Sequence, residues 1–505
     1  MPSKRLHENR VFWLCAAFLL CRYWFAPFNP GLDDVLPSAK QAFHPGWLAR
    51  DWYLSLPSGN RDIRLLYDWL VGPFTGLVPL TRLAFAGTAA VYLLFAWLIQ
   101  AFCRSFAIKA RWALPALFLL LHHQGLVAGE FILGGFEAKC FAYFFAFLAL
   151  LAVVEKRPAR AAFFQGLAVS FHVLVGLHSA FCLAAACLLD GGERGGGLSA
   201  LARRWWLFAL GASAGIYGAA RALWLDRGAD AAEAARVYVS LRVPHHLLPS
   251  AWRGPWALGY AGVAVVVLAS WRLTREPKRR FGWAYLCASL APAAVGFAAF
   301  AAGKTGWLMY YWFRFPDAAI PFVGCWLLAA AASAWSARRP WADSGAAAAS
   351  AGIAGVAALS LAVPSLRAPE TRMPSPLSSG LQESLEWIRD NTEKDRVFLV
   401  SPFVPRFYLV AERAELVSFK CVPQTKRDLL AWRERLVAAN AGREPSRGGW
   451  PMREEVEANF YALPAEEISA LARRYGLDYY LGRAPASLPF PVAHANPEYV
   501  LYKLN

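Results

Sequence analysis

The sequence predicts a mainly α fold: a polytopic membrane helical bundle followed by a small α/β domain. The 505-residue chain is 57% hydrophobic and only 17% charged, with a mean hydropathy of +0.33. Soluble domains carry about 25% charged residues, so this composition favours a membrane protein. Long apolar runs recur up to about residue 364, and the remaining segment has amphipathic helix and strand patterns instead.

Runs long enough to cross a bilayer define about eleven spans, since about 20 apolar residues are needed for each. They are predicted near residues 11–28, 83–103, 112–127, 139–154, 161–175, 177–190, 205–224, 255–271, 282–302, 318–337 and 345–364. No small-residue cleavage site follows the first run, which indicates a retained span and not a signal peptide.

The loop charges orient these spans. Alternate loops collect Lys and Arg with few acids, as in Arg272–Arg280, and the other loops mix both signs. Basic loops are typical of the cytoplasmic side, so the N-terminus is predicted to be cytoplasmic and, after eleven spans, the C-terminus extracytoplasmic. The same loops explain the net charge of +17 without nucleic acid as a partner.

Two domains follow from this layout. Residues 1–364 form the predicted transmembrane domain, with outer loops 29–82 and 226–254. Residues 365–505 form the predicted extracytoplasmic α/β domain, in which LQESLEWIRDN, QTKRDLLAWRERLVAAN and AEEISALARRYG indicate helices, and VFLVSP, AELVSFK, LDYYLG and PEYVLYKLN indicate strands. The nine cysteines have no paired spacing, so neither a zinc site nor a disulfide framework is indicated.

Charges stand inside an apolar stretch at GEFILGGFEAKCFAYFF, where Glu130, Glu137 and Lys139 fall between two short spans. One interpretation is structural: Lys139 extends to the interface and pairs with Glu137 at a helix end. The other is a cavity lip where Lys139 meets a phosphate and the carboxylates position a sugar or a cation. Intramembrane ionisable residues are functional candidates by default.

A second group of acids follows the first span. Asp33 and Asp34 are adjacent, and Asp51 lies in ARDWYL. Carboxylates beside a membrane can act as a general base for an acceptor hydroxyl or hold a divalent cation. The alternative is a solvated turn, or a cap for a helix beginning near Val35.

The histidines and one arginine complete the candidates. His172 and His178 lie six residues apart, which does not place them on one helical face, so core histidines are favoured over a metal pair. Arg314, in an aromatic belt, either extends to the interface or captures a phosphate through two hydrogen bonds.

The segment RVPHHLLPSAW is more specific because two prolines flank adjacent histidines. Arg242, His245 and His246 there suggest a rigid loop that hydrogen-bonds a phosphate or a sugar. This interpretation is favoured over a metal site, which would need further ligands, the obvious ones being the acids of the first loop.

These parts together resemble a known family. The sequence is similar to the GT-C superfamily of membrane glycosyltransferases in several features. They are LDDV after the first span, the later RDWY, the acids of the second outer loop, an Arg at a late span and the tail segments SLEWIRDNTEKDRVFLVSP and LARRYGLDYYLG. The combination of FEAK, RVPHHLLP and WFRFPD resembles an uncharacterised bacterial group with that architecture.

The resemblance implies a function in the cell envelope. Such enzymes, multi-pass proteins of the bacterial inner membrane, transfer a sugar from a polyprenyl-phosphate donor to an acceptor on the outer face. Carried across, Asp33 or Asp34 is the base or a metal ligand, and Asp51 and Glu137 assist. Lys139 and Arg314 meet the carrier phosphate.

Two other functions stay open. A catalytically inactive GT-C-like scaffold or assembly protein would keep the fold without the chemistry. A transporter is expected to have two related halves with broken helices, which the sequence does not contain.

Overall fold

The computed structural model describes residues 9–23, 33–56, 62–122, 124–125, 127–190, 197–226, 230–252, 258–259, 261–262, 265, 276–337, 339–362, 377–485 and 487–504. The chain forms two compact units. The helical unit comprises residues 1–29, 85–216 and 245–373. The sheet unit comprises residues 30–84, 217–244 and 374–505, so its contacts group the tail with parts of both predicted outer loops.

The helical unit is built from apolar helices. Its helices are Arg10–Tyr23, Leu80–Ser105, Ala113–His122, Ala138–Val154, Pro158–Phe171, Val173–Leu189, Gly197–Ala202, Trp205–Leu225, Pro244–Leu247, Pro277–Ala288, Leu290–Ala301, Thr305–Leu308, Arg314–Ser336 and Pro340–Ala362. Three of them, Leu80–Ser105, Trp205–Leu225 and Pro244–Leu247, have residues in both units. Within the described residues, three stretches are long and apolar enough to cross a membrane: Leu80–Ser105, Pro277–Ala301 and Arg314–Ser336. The larger number of spans stays a prediction, and most of the one near 255–271 lies outside the described residues.

Helix Trp205–Leu225 has exposed tryptophans at both ends and a length close to that of a membrane span. Trp205 and Trp206 at one end and Trp224 at the other are all more than half exposed. The 19-residue rise from Trp205 to Trp224 is about 28 Å, close to the thickness of a bilayer core. Trp residues at both ends are typical of the two membrane interfaces.

Small residues bring this helix against Pro158–Phe171. A Cβ at Gly211 would lie 2.5 Å from the carbonyl oxygen of Phe163, and one at Gly215 would lie 2.4 Å from that of Val169. The Ser170 hydroxyl donates to the Gly211 carbonyl at 2.6 Å. The GASAG segment is thus a GxxxG contact, which drives helix association in lipid because backbones can approach closely.

The break between the predicted spans 161–175 and 177–190 lies elsewhere than expected. The sequence suggested a dip around Gly176, but the helices meet at His172, whose backbone is extended. Gly176 is inside the second helix, where a Cβ would lie 2.3 Å from the Val169 amide nitrogen. Its role is close packing against the preceding helix, and not a turn.

The sheet unit contains a five-stranded mixed sheet. The strands are β1 (Val397–Leu399), β2 (Ala414–Glu415), β3 (Tyr479–Arg483), β4 (Val492–Ala495) and β5 (Tyr499–Lys503), in the order β2-β1-β3-β5-β4. β1 is parallel to β2 and β3, and β5 is antiparallel to β3 and β4. The α-helices are Val35–Phe43, Leu65–Val71, Ala231–Arg236, Ser379–Asn391, Phe407–Val410, Lys426–Ala439, Arg453–Tyr461 and Ala465–Tyr475, with a π-helix at Val237–Arg242.

The core of this unit joins the first loop to the tail. Leu48, Tyr53 and Leu54 are buried in one cluster with Leu385 and Phe398 of the tail. The Arg50 guanidinium donates to the carbonyls of Asp395 and Gly476, at 2.9 and 3.1 Å. The RDWY segment therefore anchors the loop to the sheet through both apolar burial and hydrogen bonds.

Two helix ends in the tail have left-handed residues. Gly476 follows Ala465–Tyr475 with φ +65°, and Ala441 lies just beyond Lys426–Ala439 with φ +53°. Glycine adopts this conformation without strain, whereas a Cβ there costs about 1 kcal/mol. The sequence predicted the first of these helix ends from Gly476.

We therefore expect opposite effects from two substitutions. Gly476→Ala should destabilise the sheet unit by about 1 kcal/mol, and Ala441→Gly should stabilise it by up to about 1 kcal/mol, because only the second relieves strain. Hydrogen exchange of β3 amides in the full-length protein measures both. Equal effects of the same sign would contradict the assignment of these backbone conformations.

Candidate functional sites

The loop before helix Ala138–Val154 is held by hydrogen bonds between side chains and its backbone. The Gln124 carboxamide oxygen accepts from the amides of Ile132 and Leu133 at 3.1 and 3.0 Å, and its nitrogen donates to the Leu133 carbonyl at 2.9 Å. Gly129 and Gly134 have φ values of +68° and +140°, a backbone conformation that glycine adopts without strain. The loop is therefore fixed by its own interactions.

Asp317 holds the other side of this loop. One of its carboxylate oxygens accepts from the amides of Val127 and Ala128 at 2.6 and 3.1 Å, and the other accepts from the amide of Glu130 at 2.9 Å. Asp317 is fully buried and lies in the first turn of helix Arg314–Ser336, where the helix dipole favours a negative charge. Asp317 lies in the WFRFPD segment but was not among the candidates that the sequence indicated. The available signal was its three-residue spacing from Arg314, which puts both residues on one helical face.

Glu130 lies between two cations. Its side chain is 1% exposed, with one carboxylate oxygen 3.2 Å from the Lys139 ammonium and the other 2.9 Å from Nε of Arg314. Lys139 also lies 3.5 Å from a carboxylate oxygen of Glu137. We call Glu130, Glu137, Lys139 and Arg314 the ion cluster. Buried charges persist only when paired, and two carboxylates balance two cations here.

Aromatic rings cover the two cations of the ion cluster. The Lys139 ammonium lies 3.5 Å from the ring centre of Phe131, and the Arg314 guanidinium lies 3.8 Å from that of Tyr311. The Tyr143 hydroxyl donates to the Arg314 carbonyl at 3.2 Å. Such rings stabilise a cation without neutralising it, so the positions of Lys139 and Arg314 are set before any ligand arrives.

The predicted histidines divide between this cluster and its surroundings. Nε2 of His172 lies 3.1 Å from an Arg314 nitrogen and accepts from it, because a guanidinium can only donate. His178 stacks on Trp312 at 5.1 Å between ring centres. His172 thus positions Arg314, whereas His178 packs as the core histidine that was expected.

One of the adjacent histidines of PHH contacts the loop before helix Ala138–Val154. The Nδ1 of His246 donates to the Ala128 carbonyl, and the ring centres of His245 and His246 lie 4.1 Å apart. Burial, followed by the nearby His245 and Arg314, lowers the pKa of His246 well below its usual value, so its ring is neutral. A neutral ring that donates from Nδ1 presents an acceptor at Nε2.

Asp33 is the most accessible of the three candidate acids of the first loop. Its side chain is 27% exposed; one carboxylate oxygen accepts from the Arg406 amide at 3.3 Å, and the other lies 3.8 Å from the Lys420 ammonium. Arg242 supports this arrangement: its guanidinium donates to the Lys420 carbonyl at 3.2 Å and lies 4.3 Å from the Phe419 ring centre. Arg242 ends the π-helix Val237–Arg242, an irregularity frequent at functional sites.

Asp34 and Asp51 are held more closely by the protein. Asp34 accepts from the Val35 amide at 2.8 Å, as a cap of helix Val35–Phe43, and lies 3.9 Å from Arg64. Asp51 is fully buried and accepts from the amides of Leu54 and Glu415 at 2.9 and 3.1 Å. Burial raises the pKa of Asp51 to about 6, against those two hydrogen bonds, which lower it.

The candidate residues therefore fall into two sites. The helical unit brings together Glu130, Glu137, Lys139, His172, His246 and Arg314, with Asp317 added. The sheet unit brings together Asp33, Lys420 and Arg242, with Asp34 next to Asp33 in the chain. In the described part of the chain, no three His, Cys, Asp or Glu side chains converge to hold a metal ion.

The comparisons concern the fold and one short domain. The chain is similar to the solved structure of the archaeal oligosaccharyltransferase AglB from Archaeoglobus fulgidus, which is in complex with an inhibitory peptide and a dolichol-phosphate. The match has a TM-score of 0.55 at 13% identity and covers 95% of this chain and 70% of that one. At this identity the likeness concerns the fold, which is GT-C-like.

Residues 379–439 also match a domain of unknown function, DUF6798, which covers helix Ser379–Asn391, β1, β2 and helix Lys426–Ala439. The comparison with curated proteins found no match.

We expect Asp317 to be the anchor of the 127–130 loop. Asp317→Asn removes one acceptor oxygen, and a buried amide left without its partner costs about 1–3 kcal/mol. Thermal unfolding in detergent should therefore show a loss of about 2 kcal/mol, with faster hydrogen exchange at residues 127–130. Glu155→Gln, at an exposed acid of the same unit, is the control and should change stability by less than about 0.5 kcal/mol. Unchanged exchange at 127–130 in the Asp317 variant would contradict the anchoring role.

Proposed function

We propose that this chain is a membrane glycosyltransferase that moves a sugar from a polyprenyl-phosphate donor to an acceptor on the outer face of a bacterial cytoplasmic membrane. The GT-C-like fold over 95% of the chain carries the proposal, since the similar archaeal structure is an oligosaccharyltransferase with a bound dolichol-phosphate. In this proposal the N-terminus is cytoplasmic and the sheet unit is extracytoplasmic.

Asp33 is the proposed general base. It directly follows the first apolar helix region and is the most exposed of the three candidate acids, whereas Asp34 caps a helix and Asp51 is buried among backbone amides. Its carboxylate would take the proton of the acceptor hydroxyl as the acceptor oxygen bonds to the anomeric carbon of the sugar, and the bond from that carbon to the carrier phosphate would break with its electron pair leaving on the phosphate. Lys420 and the Arg406 amide would orient Asp33, and Arg242 would support Lys420.

The ion cluster is the proposed site for the carrier phosphate. Lys139 and Arg314 are positioned by Glu130, by aromatic rings and by His172, which is the preorganisation that stabilises charge on a departing phosphate. Glu137, the more exposed of the two acids with 16% of its side chain accessible, competes with a phosphate for Lys139. Displacement of Glu137 would leave a net positive charge facing the ligand.

An inactive GT-C-like scaffold is the second candidate, and one observation favours it. Both cations of the ion cluster are already paired with carboxylates, as a purely structural cluster would require. The two proposals differ in whether Asp33 is needed for turnover.

We expect Asp33→Asn to abolish function while the protein remains folded. Loss of a general base lowers the rate by about 10²–10⁴-fold, and asparagine keeps an oxygen that can accept from the Arg406 amide, so the partly exposed site should stay folded. A strain lacking the gene, complemented with the variant, should accumulate lipid-linked sugar and lose the corresponding surface glycan. Purified variant should unfold at the wild-type temperature.

Asp395→Asn is the matched control, because Asp395 is an exposed acid of the same unit with 69% of its side chain accessible. It should complement fully. Full complementation by Asp33→Asn, or a deletion strain with unchanged glycans and lipid-linked sugars, would contradict the proposed enzyme and favour the scaffold.

A further inference from the structure

A cavity in the sheet unit lies apart from the residues of both sites. It has a volume of about 480 Å³, opens to the surface and is lined by Lys40, His44, Trp47 and residues 75–79. Its walls are the C-terminal end of helix Val35–Phe43 and the turn after the 3₁₀-helix Gly72–Phe74. None of these residues has a role in the proposed transfer reaction.

The polar side of the cavity presents cationic and donor groups. The Lys40 ammonium lies 4.3 Å from the ring centre of Trp47, and the His44 ring packs so closely on Gly76 that a Cβ there would lie 2.6 Å from its Nε2. Glu412, 3.9 Å from Lys40, is 45% exposed, and such surface pairs are weak and exchange readily. An anionic group could therefore replace Glu412 as the partner of Lys40.

Lining residues and their chain neighbours form an apolar, exposed rim. Phe43 is 40% exposed, Phe74 51%, Leu77 75% and Val78 40%. Trp69 and Leu70 on the adjacent helix Leu65–Val71 are also about half exposed. Contiguous exposed apolar side chains next to cationic groups are characteristic of a surface that contacts lipid.

The chain connects this rim to a candidate membrane span. Pro79, the last lining residue, directly precedes helix Leu80–Ser105, which is 26 residues long and apolar enough to cross a membrane. When this helix spans the membrane, the turn at 75–79 lies where the chain enters the bilayer. A soluble anion would satisfy Lys40 and His44 but would leave the apolar rim in water, so a lipid explains both halves of the cavity.

We propose that this cavity binds the phosphate headgroup of an anionic phospholipid, with Lys40 and His44 at the phosphate and Phe74, Leu77 and Val78 along the acyl chains. The site would anchor the sheet unit to the membrane that helix Leu80–Ser105 enters. The proposal depends on membrane insertion and not on the transfer reaction, so it can fail or succeed independently of the proposed enzyme.

The test uses the full-length protein in nanodiscs of phosphatidylcholine that contain phosphatidylglycerol with a photoactivatable acyl chain. After illumination, mass spectrometry of peptides locates the adducts. Adducts should concentrate on residues 40–47 and 74–79, and unlabelled phosphatidylglycerol should compete for them. Lys40→Gln should lower this labelling about fivefold, the equivalent of the roughly 1 kcal/mol that one basic residue contributes at an anionic membrane surface.

Two further variants control the experiment. Leu77→Ser should also lower labelling, and its exposure means that the protein should still fold; Lys394→Gln removes an exposed lysine of the same unit and should change nothing. Adducts confined to other segments, or labelling unchanged by Lys40→Gln, would overturn the proposal. Competition by inorganic phosphate would assign the cavity to a free anion and would overturn the lipid assignment.

Discussion

The buried carboxylate of Glu130 determines the arrangement of the helical unit's site. Lys139 and Arg314 compensate its burial, since they lie 3.2 and 2.9 Å from its two oxygens, and those two cations belong to different helices. Loss of Glu130 would leave two cations close together, and loss of either cation would leave a buried charge, which costs about 3–5 kcal/mol. The 127–137 loop and helix Arg314–Ser336 therefore fix each other's positions through these ion pairs.

Asp317 adds a second connection between the same two elements. It accepts from backbone amides of the loop, including that of Glu130, whereas Arg314 pairs with the Glu130 side chain. Because both come from the first turn of one helix, a small movement of that helix would shift the backbone and the charge together. Binding of a ligand that competes for Arg314 would thus be coupled to the position of this loop, whose Ala128 carbonyl accepts a hydrogen bond from His246.

The sheet unit depends on chain segments far apart in sequence. Asp51 joins the first loop to β2 through the Glu415 amide, and Arg242, from the second predicted outer loop, supports Lys420 beside Asp33. Hydrogen bonds to backbone groups leave no periodic pattern in the sequence. This is why Asp51 was singled out as a catalytic candidate from its chemistry, while its role in joining two segments emerged only from the structure.

Local patterns predicted much of the fold. The helices of the tail, the strands β1, β3 and β5 and the helix end at Gly476 agree with the sequence, because each depends on periodicity or on one residue's backbone preference. The strand predicted at AELVSFK is only the two-residue β2, and the exposed β4 and helix Arg453–Tyr461 were not predicted, since their patterns are short or weak. The GT-C-like fold was suggested by short motifs; the span number and the division at residue 364 stay predictions.

For the candidate sites, residue types could be predicted but partners could not. Glu130, Glu137 and Lys139 were marked by their charge in an apolar stretch, and Lys139 pairs with Glu137 as one interpretation expected. That Arg314, 184 positions after Glu130, completes the cluster depends on tertiary packing. Asp317 escaped notice because an acid in the first turn of a helix is ordinary by itself.

The central claim is that the ion cluster receives a lipid-borne phosphate, and binding of polyprenyl phosphate to the purified protein tests it most directly. Lys139→Gln should weaken binding about tenfold or more, since a hydrogen bond to a charged group is worth about 1.5–3 kcal/mol. Glu137→Gln, which removes the competing carboxylate, should tighten it. If neither substitution changes the affinity while both variants remain folded, the ion cluster is structural and the account is contradicted.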